Sequence, residues 1–192
     1  MTGLYEIETE RLVLRQWREG DWVGLHRTYG DPEVMSWIGA APADLASTAA
    51  AVGRMSMHWL LLGYGMFAVE ERTSGEIVGR VGLMQHPDWP LAGPKIEVGW
   101  TLQRSAWGRG YATEGARASL AFGFDVLDLP QIFSMTRLDN ARSRAVMERC
   151  GLTQRGELDF HGWRQVHYAI DRQNWPPPDA QEPSINIREV ER

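Results

Sequence analysis

The chain holds a single cysteine, Cys150, in 192 residues. An internal disulfide is therefore excluded, and a reducing cytoplasm is the expected setting. It holds a single lysine, Lys95, so nearly all of its positive charge is arginine, which we read as the codon bias of a GC-rich genome. The formal net charge is -5, without the basic excess of a general nucleic-acid binder. No apolar run reaches the ~18 residues that a membrane helix needs. Met1 to Glu6 has neither the basic start nor the apolar stretch of a secretory signal. His86, His161, His167 and Cys150 show no metal-ligand spacing, so no metal is expected. No internal repeat is visible.

Hydrophobic residues make up 43% of the chain, enough for a real core, and the length suits one domain. Leu12 and Leu14 alternate as a short strand. Asp21 caps a helix carrying Trp22, Leu25 and Tyr29, which Asp31-Pro32 breaks. Leu45, Ala49, Val52, Met55 and Trp59 predict a helix from Asp44 to Leu62. Met66 to Glu71 and Glu76 to Leu83 read as strands around a Ser74-Gly75 turn. Gln85 to Pro94 is a loop, and Ile96 to Leu102 is the next strand. A helix from Tyr111 to Phe124, a strand from Gln131 to Thr136 and a helix from Asn140 to Cys150 follow. Strands Thr153 to Phe160 and Trp163 to Arg172 flank a His161-Gly162 turn. After Trp175 the proline run reads as a polar tail, 176–192, behind a domain of 1–175. Helices interleaved with short strands indicate a mixed α/β fold.

The segment Trp107-Gly108-Arg109-Gly110-Tyr111-Ala112-Thr113 carries the most chemistry. It lies between a strand and a helix start. Paired glycines permit a sharp turn and close approach of a ligand. Free N–H groups and the helix dipole at such a start make an anion cradle. A dinucleotide fingerprint needs a third glycine where Thr113 stands, and a nucleotide P-loop needs Gly-Lys-Ser/Thr. Neither fits. Read alone, the motif could also be a plain tight turn.

The segment resembles the pyrophosphate loop, Gln/Arg-x-x-Gly-x-Gly/Ala, of the GNAT superfamily of N-acetyltransferases. Gly108 and Gly110 fill its small positions, and Ser105 departs from its first. Glu-Thr-Glu-Arg-Leu-Val-Leu-Arg, ending at Arg15, resembles the opening strand of the branch that includes ribosomal-protein N-terminal acetyltransferases. Gly-Asp-Pro-Glu-Val-Met, ending at Met35, resembles its first link, and Asn140-Ala141-Arg142-Ser143 through Leu152 its last helix. The likeness runs from about Ile7 to Trp175. It implies a mostly antiparallel sheet with two splayed strands, and acetyl-CoA bound in the gap by Thr101, Leu102, Trp107 to Thr113 and Asn140. It implies transfer of the acetyl group to a primary amine, on a small molecule or a protein N-terminus. A homodimer is left open. A non-catalytic acyl-CoA sensor and a protein-interaction module are the rival readings.

Acetyl transfer needs a base for the amine and a donor for the leaving thiolate. Alternation puts Glu97 on one face of its strand with Gly99. The resemblance makes it the base; the other reading is an ordinary strand carboxylate. Many family members carry a tyrosine acid seven residues after the asparagine, but here that position is Met147, which cannot donate a proton. The resemblance then points to Ser143, with water or a plain helix hydroxyl as alternatives. Cys150 reads as core filling rather than a covalent relay. Arg104 and Arg109 flank the loop and can each pair with a phosphate or stay solvated. Trp37, Trp89 and Trp100 are candidates to line the acceptor pocket, with burial in the core as the alternative.

Overall fold

The computed structural model describes residues 3–93, 95–176 and 185–190. Their strands form one sheet in the order β7-β8-β6-β5-β4-β3-β2-β1-β9. In chain order these are β1 Leu4–Glu8, β2 Leu12–Arg15, β3 Met66–Glu71, β4 Ile77–Gln85, β5 Ile96–Leu102, β6 Gln131–Arg137, β7 Thr153–Phe160, β8 Trp163–Asp171 and β9 Asn186–Val190. The helices are α1 Asp21–Tyr29, α2 Pro32–Trp37, α3 Leu45–Leu62, α4 Tyr111–Ala121 and α5 Ala141–Arg149. All pairings are antiparallel except β5 with β6, which is parallel. A parallel pair needs a crossover, and α4 supplies it.

Two of the three apolar clusters among the described residues bind the helices in place. The larger joins Phe67, Val81, Leu83 and Val98 of the sheet to Ala116 and Leu120 of α4 and to Val146 and Met147 of α5. Gly115 permits this contact: a Cβ there would lie 3.1 Å from Val81. The smaller cluster ties α1, α2 and α3 through Leu25, Tyr29, Met35, Ala51 and Val52.

Most expected elements are present, with instructive differences. Asp31-Pro32 does end α1, but it also starts α2. The Asp31 carboxylate accepts from the N–H groups of Glu33 and Val34, and Pro32 occupies the first turn, where its missing N–H costs nothing. The buried face of α3 runs through Thr48, Ala51, Val52 and Trp59, leaving Leu45 half exposed. Helix α4 passes into a π-helical turn, Phe122–Val126.

The tail expected from 176 onward contains structure. Asn186–Val190 pairs antiparallel with β1, and the flanking Ile185 and Ile187 pack on the main cluster. Alternating apolar residues gave that short run a strand's pattern, which the prolines before it masked. Residues 177–184, within the expected tail, lie outside the described residues.

The feature that matters for function is the join of β5 and β6. Only Glu97 and Phe133 are in register there. Beyond that point the strands diverge, and Gly99 to Leu102 present an edge that β6 does not cover. Backbone polar groups on such an edge need partners from elsewhere.

Candidate active site

The divergence opens into a cleft of about 1180 Å³. Its walls come from β5, β6, the segment after β5, the starts of α4 and α5, and the end of α2. Thr101, Leu102, Trp107, Gly108, Gly110, Tyr111, Ala112, Thr113, Asn140, Ser143 and Glu97 all line it, so residues far apart in sequence meet there.

At one end, a 3-10 turn, Arg104–Ala106, precedes the glycine segment. Trp107 is locked into this turn: its N–H donates to Arg104 and its indole to the Leu102 carbonyl at 2.9 Å. Its amide is therefore not available for a ligand, unlike the sequence expectation. Gly108 and Gly110 sit at φ +74° and +82°, a region that costs other residues ~1–2 kcal/mol. The six amides from Gly108 to Thr113 have no backbone acceptor among the described residues. They form an unpaired run at a helix start, and the α4 dipole adds positive potential.

A brace outside the cleft shapes this run. Arg11, in the turn between β1 and β2, binds the Glu114 carboxylate at 2.6 and 2.7 Å. It also donates to the Arg109 carbonyl at 2.7 Å and lies over the Tyr111 ring. Glu114 further accepts from the Thr9 hydroxyl. Its charge is thus turned away from the cradle. Arg109 does not face the cleft with its side chain; it pairs with Glu71 at 2.8 Å and stacks on Tyr111. Arg104 likewise binds Glu33 and Asp31. The arginines on the cleft wall beside the cradle are instead Arg142, over the Trp107 ring, and Arg149. A helix periodicity extended from Asn140 would have found Arg142 and Arg149, seven residues apart on one face.

Asn140 caps α5: its side-chain oxygen accepts from the Ser143 N–H at 3.1 Å. Ser143 is half-buried on the cleft wall. Met147, one turn on, is 1% exposed in the main core and does not reach the cleft. Cys150 is fully buried, and burial pushes its thiol up to about 12. A thiol that rarely ionises is no relay nucleophile.

At the other end Glu97 is 8% exposed. His86 Nε2 lies 2.6 Å from its Oε2. Sequence reasoning treated His86 only as a metal candidate. The antiparallel register sets Met84 opposite Glu97, and two residues further along the same face is His86, so the alternation carried the signal. Burial opposes a charge on His86, but the hydrogen bond and charge of Glu97, with Asp88, outweigh it and raise its pKa above the ordinary value.

Trp37 and Trp100 line the cleft. Trp89 does not: it is 5% exposed and stacks on Phe133 at 4.2 Å, so it is core. Trp163, expected only as the start of a strand, lines the cleft in its place and sandwiches Arg137 against Trp37. Among the described residues no cluster of three His, Cys, Asp or Glu is placed to hold a metal ion, and no helix is long and apolar enough to cross a membrane.

The profile of the acetyltransferase (GNAT) domain family matches residues 11–153, which includes β5, the glycine segment and α5. The chain is 30% identical over 159 residues to the FsC-acetyl coenzyme A-N(2)-transacetylase of Aspergillus fumigatus, covering 76% of this chain and 67% of that protein. It is 24% identical over 175 residues to the uncharacterized N-acetyltransferase YnaD of Bacillus subtilis, covering 88% and 98%. The crystal structure of an acetyltransferase from Agrobacterium tumefaciens superposes with a TM-score of 0.74 at 30% identity, covering 86% of this chain and 93% of that one. A splayed parallel strand pair with an amide cradle beside it, in a chain matched by this profile over most of its length, means that the protein belongs to the GNAT family of acetyl-CoA-dependent N-acetyltransferases.

Proposed function

We propose that the protein moves an acetyl group from acetyl-CoA to a primary amine by direct attack, with both substrates in the cleft at once. The observation that carries this reading is the run of free amides from Gly108 to Thr113, opening on the same cleft as the buried carboxylate of Glu97. The amides and the α4 dipole suit the coenzyme diphosphate. Arg142 and Arg149 add charge beside them, and the uncovered edge at Thr101 and Leu102 suits amide groups of the pantetheine arm. Asn140 holds the start of α5 against that arm. The coenzyme supplies an acyl group already activated as a thioester. Binding it next to the amine supplies much of the rate.

Glu97 then takes a proton from the ammonium form of the acceptor, directly or through a water. Ser143 faces the cleft with its hydroxyl free of protein acceptors among the described residues. It returns a proton to the leaving sulfur, with water as the alternative donor. We take residues 1–175, with β9 completing their sheet, as the catalytic unit, and the cytoplasm as its compartment.

The charge of the cleft narrows the acceptor. Among the described residues Glu97 is its single lining carboxylate and is already paired, whereas Arg80, Arg137, Arg142 and Arg149 all line it. A polyamine would find no second anion there among the described residues. An acceptor with one amine fits better, and Trp37, Trp100 and Trp163 suit a flat or apolar body. The test is thiol release from acetyl-CoA with five acceptors: a peptide with a free N-terminus, an α-amino acid, phenethylamine, an aminoglycoside and spermidine. Release with the peptide or a monoamine, and little with spermidine, is expected. Coenzyme binding by calorimetry without release on any amine would favour the sensor reading, and no binding at all would overturn both.

A further inference from the structure

Among the described residues Glu97 and His86 are the one acid–base pair that face each other inside the cleft. Their side chains are 10% and 12% exposed, so little water screens them. The contact uses only one carboxylate oxygen. Oε2 meets His86 Nε2 at 2.6 Å, while Oε1 makes no hydrogen bond among the described residues. Oε1 lies over Gly99, 3.9 Å from where a Cβ would stand, and Gly99 lines the cleft. The free oxygen therefore has an open path to a bound amine.

We propose that His86 is a positioning residue that holds Glu97 through Nε2–H and, by its own charge state, decides whether Glu97 can act as a base. This rests on the acetyl-transfer reading above. As an imidazolium, His86 places a full positive charge against the carboxylate and weakens it as a proton acceptor. As a neutral imidazole it keeps the Nε2–H bond to Oε2, and Oε1 regains its basicity. The step then balances simply. The ammonium proton passes to Oε1, leaving a neutral amine and a carboxylic acid. The amine nitrogen bonds to the acetyl carbon as the carbon–sulfur bond breaks, and the second amine proton leaves to neutralise the thiolate through Ser143 or water.

The surroundings set where the switch lies. From β5, Glu97 favours the charged imidazole. Asp88, in the loop after β4, does so too, though its carboxylate is shared with His161 of the β7–β8 turn at 2.7 Å. From β6 and β7 the ring meets only Phe133 and Phe160. His167 of β8 lies behind Trp89. The Lys95 carbonyl accepts the His86 backbone N–H, and its ammonium turns to the Pro87 carbonyl. Among the described residues Glu97 is thus the only charged partner in direct contact. Burial opposes the imidazolium and Glu97 with Asp88 favours it, so the ring keeps its proton to a higher pH than a free histidine.

The experiment has two readouts. One is the imidazole NMR titration of His86 in the protein without coenzyme. The other is kcat/KM against pH, which reports the free protein's groups, using the fastest acceptor of the five above. The titration midpoint should lie above ~6.5, the usual histidine value, and fall in Glu97→Gln. The acid limb of wild-type kcat/KM should share that midpoint, leaving ~10% of the plateau one pH unit below it. His86→Gln keeps a donor for Oε2 and has no charge to gain. It should hold at least half of its own plateau at that same pH. An unchanged acid limb in His86→Gln, or a His86 midpoint that ignores Glu97→Gln, overturns the proposal. Should His86→Gln unfold, coincidence of the two wild-type midpoints decides the matter alone. Absence of thiol release at every pH would instead strike the acetyl-transfer reading, since the NMR coupling of the pair needs no turnover.

Discussion

Arg11→Gln removes the guanidinium that ties the cradle to the opposite end of the chain. Four contacts go: two to Glu114 at 2.6 and 2.7 Å, one to the Arg109 carbonyl at 2.7 Å, and the stacking on Tyr111. Glu114 stays held by one oxygen: the Thr9 hydroxyl and the residue 11 backbone N–H still reach Oε1, while Oε2 loses both guanidinium contacts. The fold should therefore persist while the loop loosens. A hydrogen bond to a charged group contributes ~1.5–3 kcal/mol when shielded from water, and an exposed ion pair ~0.2–1. Arg11 is 44% exposed and Glu114 8%, so an intermediate ~1–2 kcal/mol is the working figure for ordering the loop. If that ordering must be restored on binding, coenzyme A affinity falls ~5–30-fold. Calorimetric titration with coenzyme A, paired with a thermal melt, measures this. A folded Arg11→Gln protein that binds within twofold of wild type would refute the brace.

Three other outcomes follow from the same geometry. Gly110→Ala must hold a side chain at φ +82° with its Cβ 3.1 Å from an Arg11 nitrogen, so coenzyme affinity should fall at least ~10-fold, by calorimetry, with a melt lowered by only a few degrees. Ser143→Ala should lower kcat by less than the ~10²-fold of a typical general acid, because a thiolate leaves readily; Met147→Tyr should not rescue it and should cost ~1–3 kcal/mol in denaturant unfolding, because Met147 is packed in the core. The raised His86 pKa makes its pairing stabilising below ~6.5, and that contribution is lost as pH rises through the folded value; the melting-temperature advantage of wild type over His86→Gln should shrink from pH 6 to pH 8.5, opposite in trend to turnover.

Local chemistry made much of this legible before any fold was known. Paired glycines between a strand and a helix marked the cradle, Asn140 marked the start of α5, and alternation marked the face of Glu97. What stayed hidden depends on where side chains point after the chain has folded. Trp89 and Trp163 are alike as residues, yet stacking on Phe133 buries one while the other lies at the cleft mouth. Arg104 and Arg109 were open to phosphate pairing or to solvation by their place beside the loop, but carboxylates from α2 and β3 claim them. The partnership of Arg11 with Glu114 spans 103 residues, and no periodicity reaches so far. Strand β9 was obscured because its partner is β1, at the far end of the chain.

The central claim is that coenzyme A sits with its diphosphate on the amides that follow Gly108. Backbone amide NMR of the labelled protein, titrated with coenzyme A, reads those groups directly. The account predicts that the largest shifts fall on Gly108 through Thr113, with Trp107 shifting less because its N–H is already bonded within the turn. Saturating shifts that cluster elsewhere, with Gly108 to Thr113 unmoved, would contradict it.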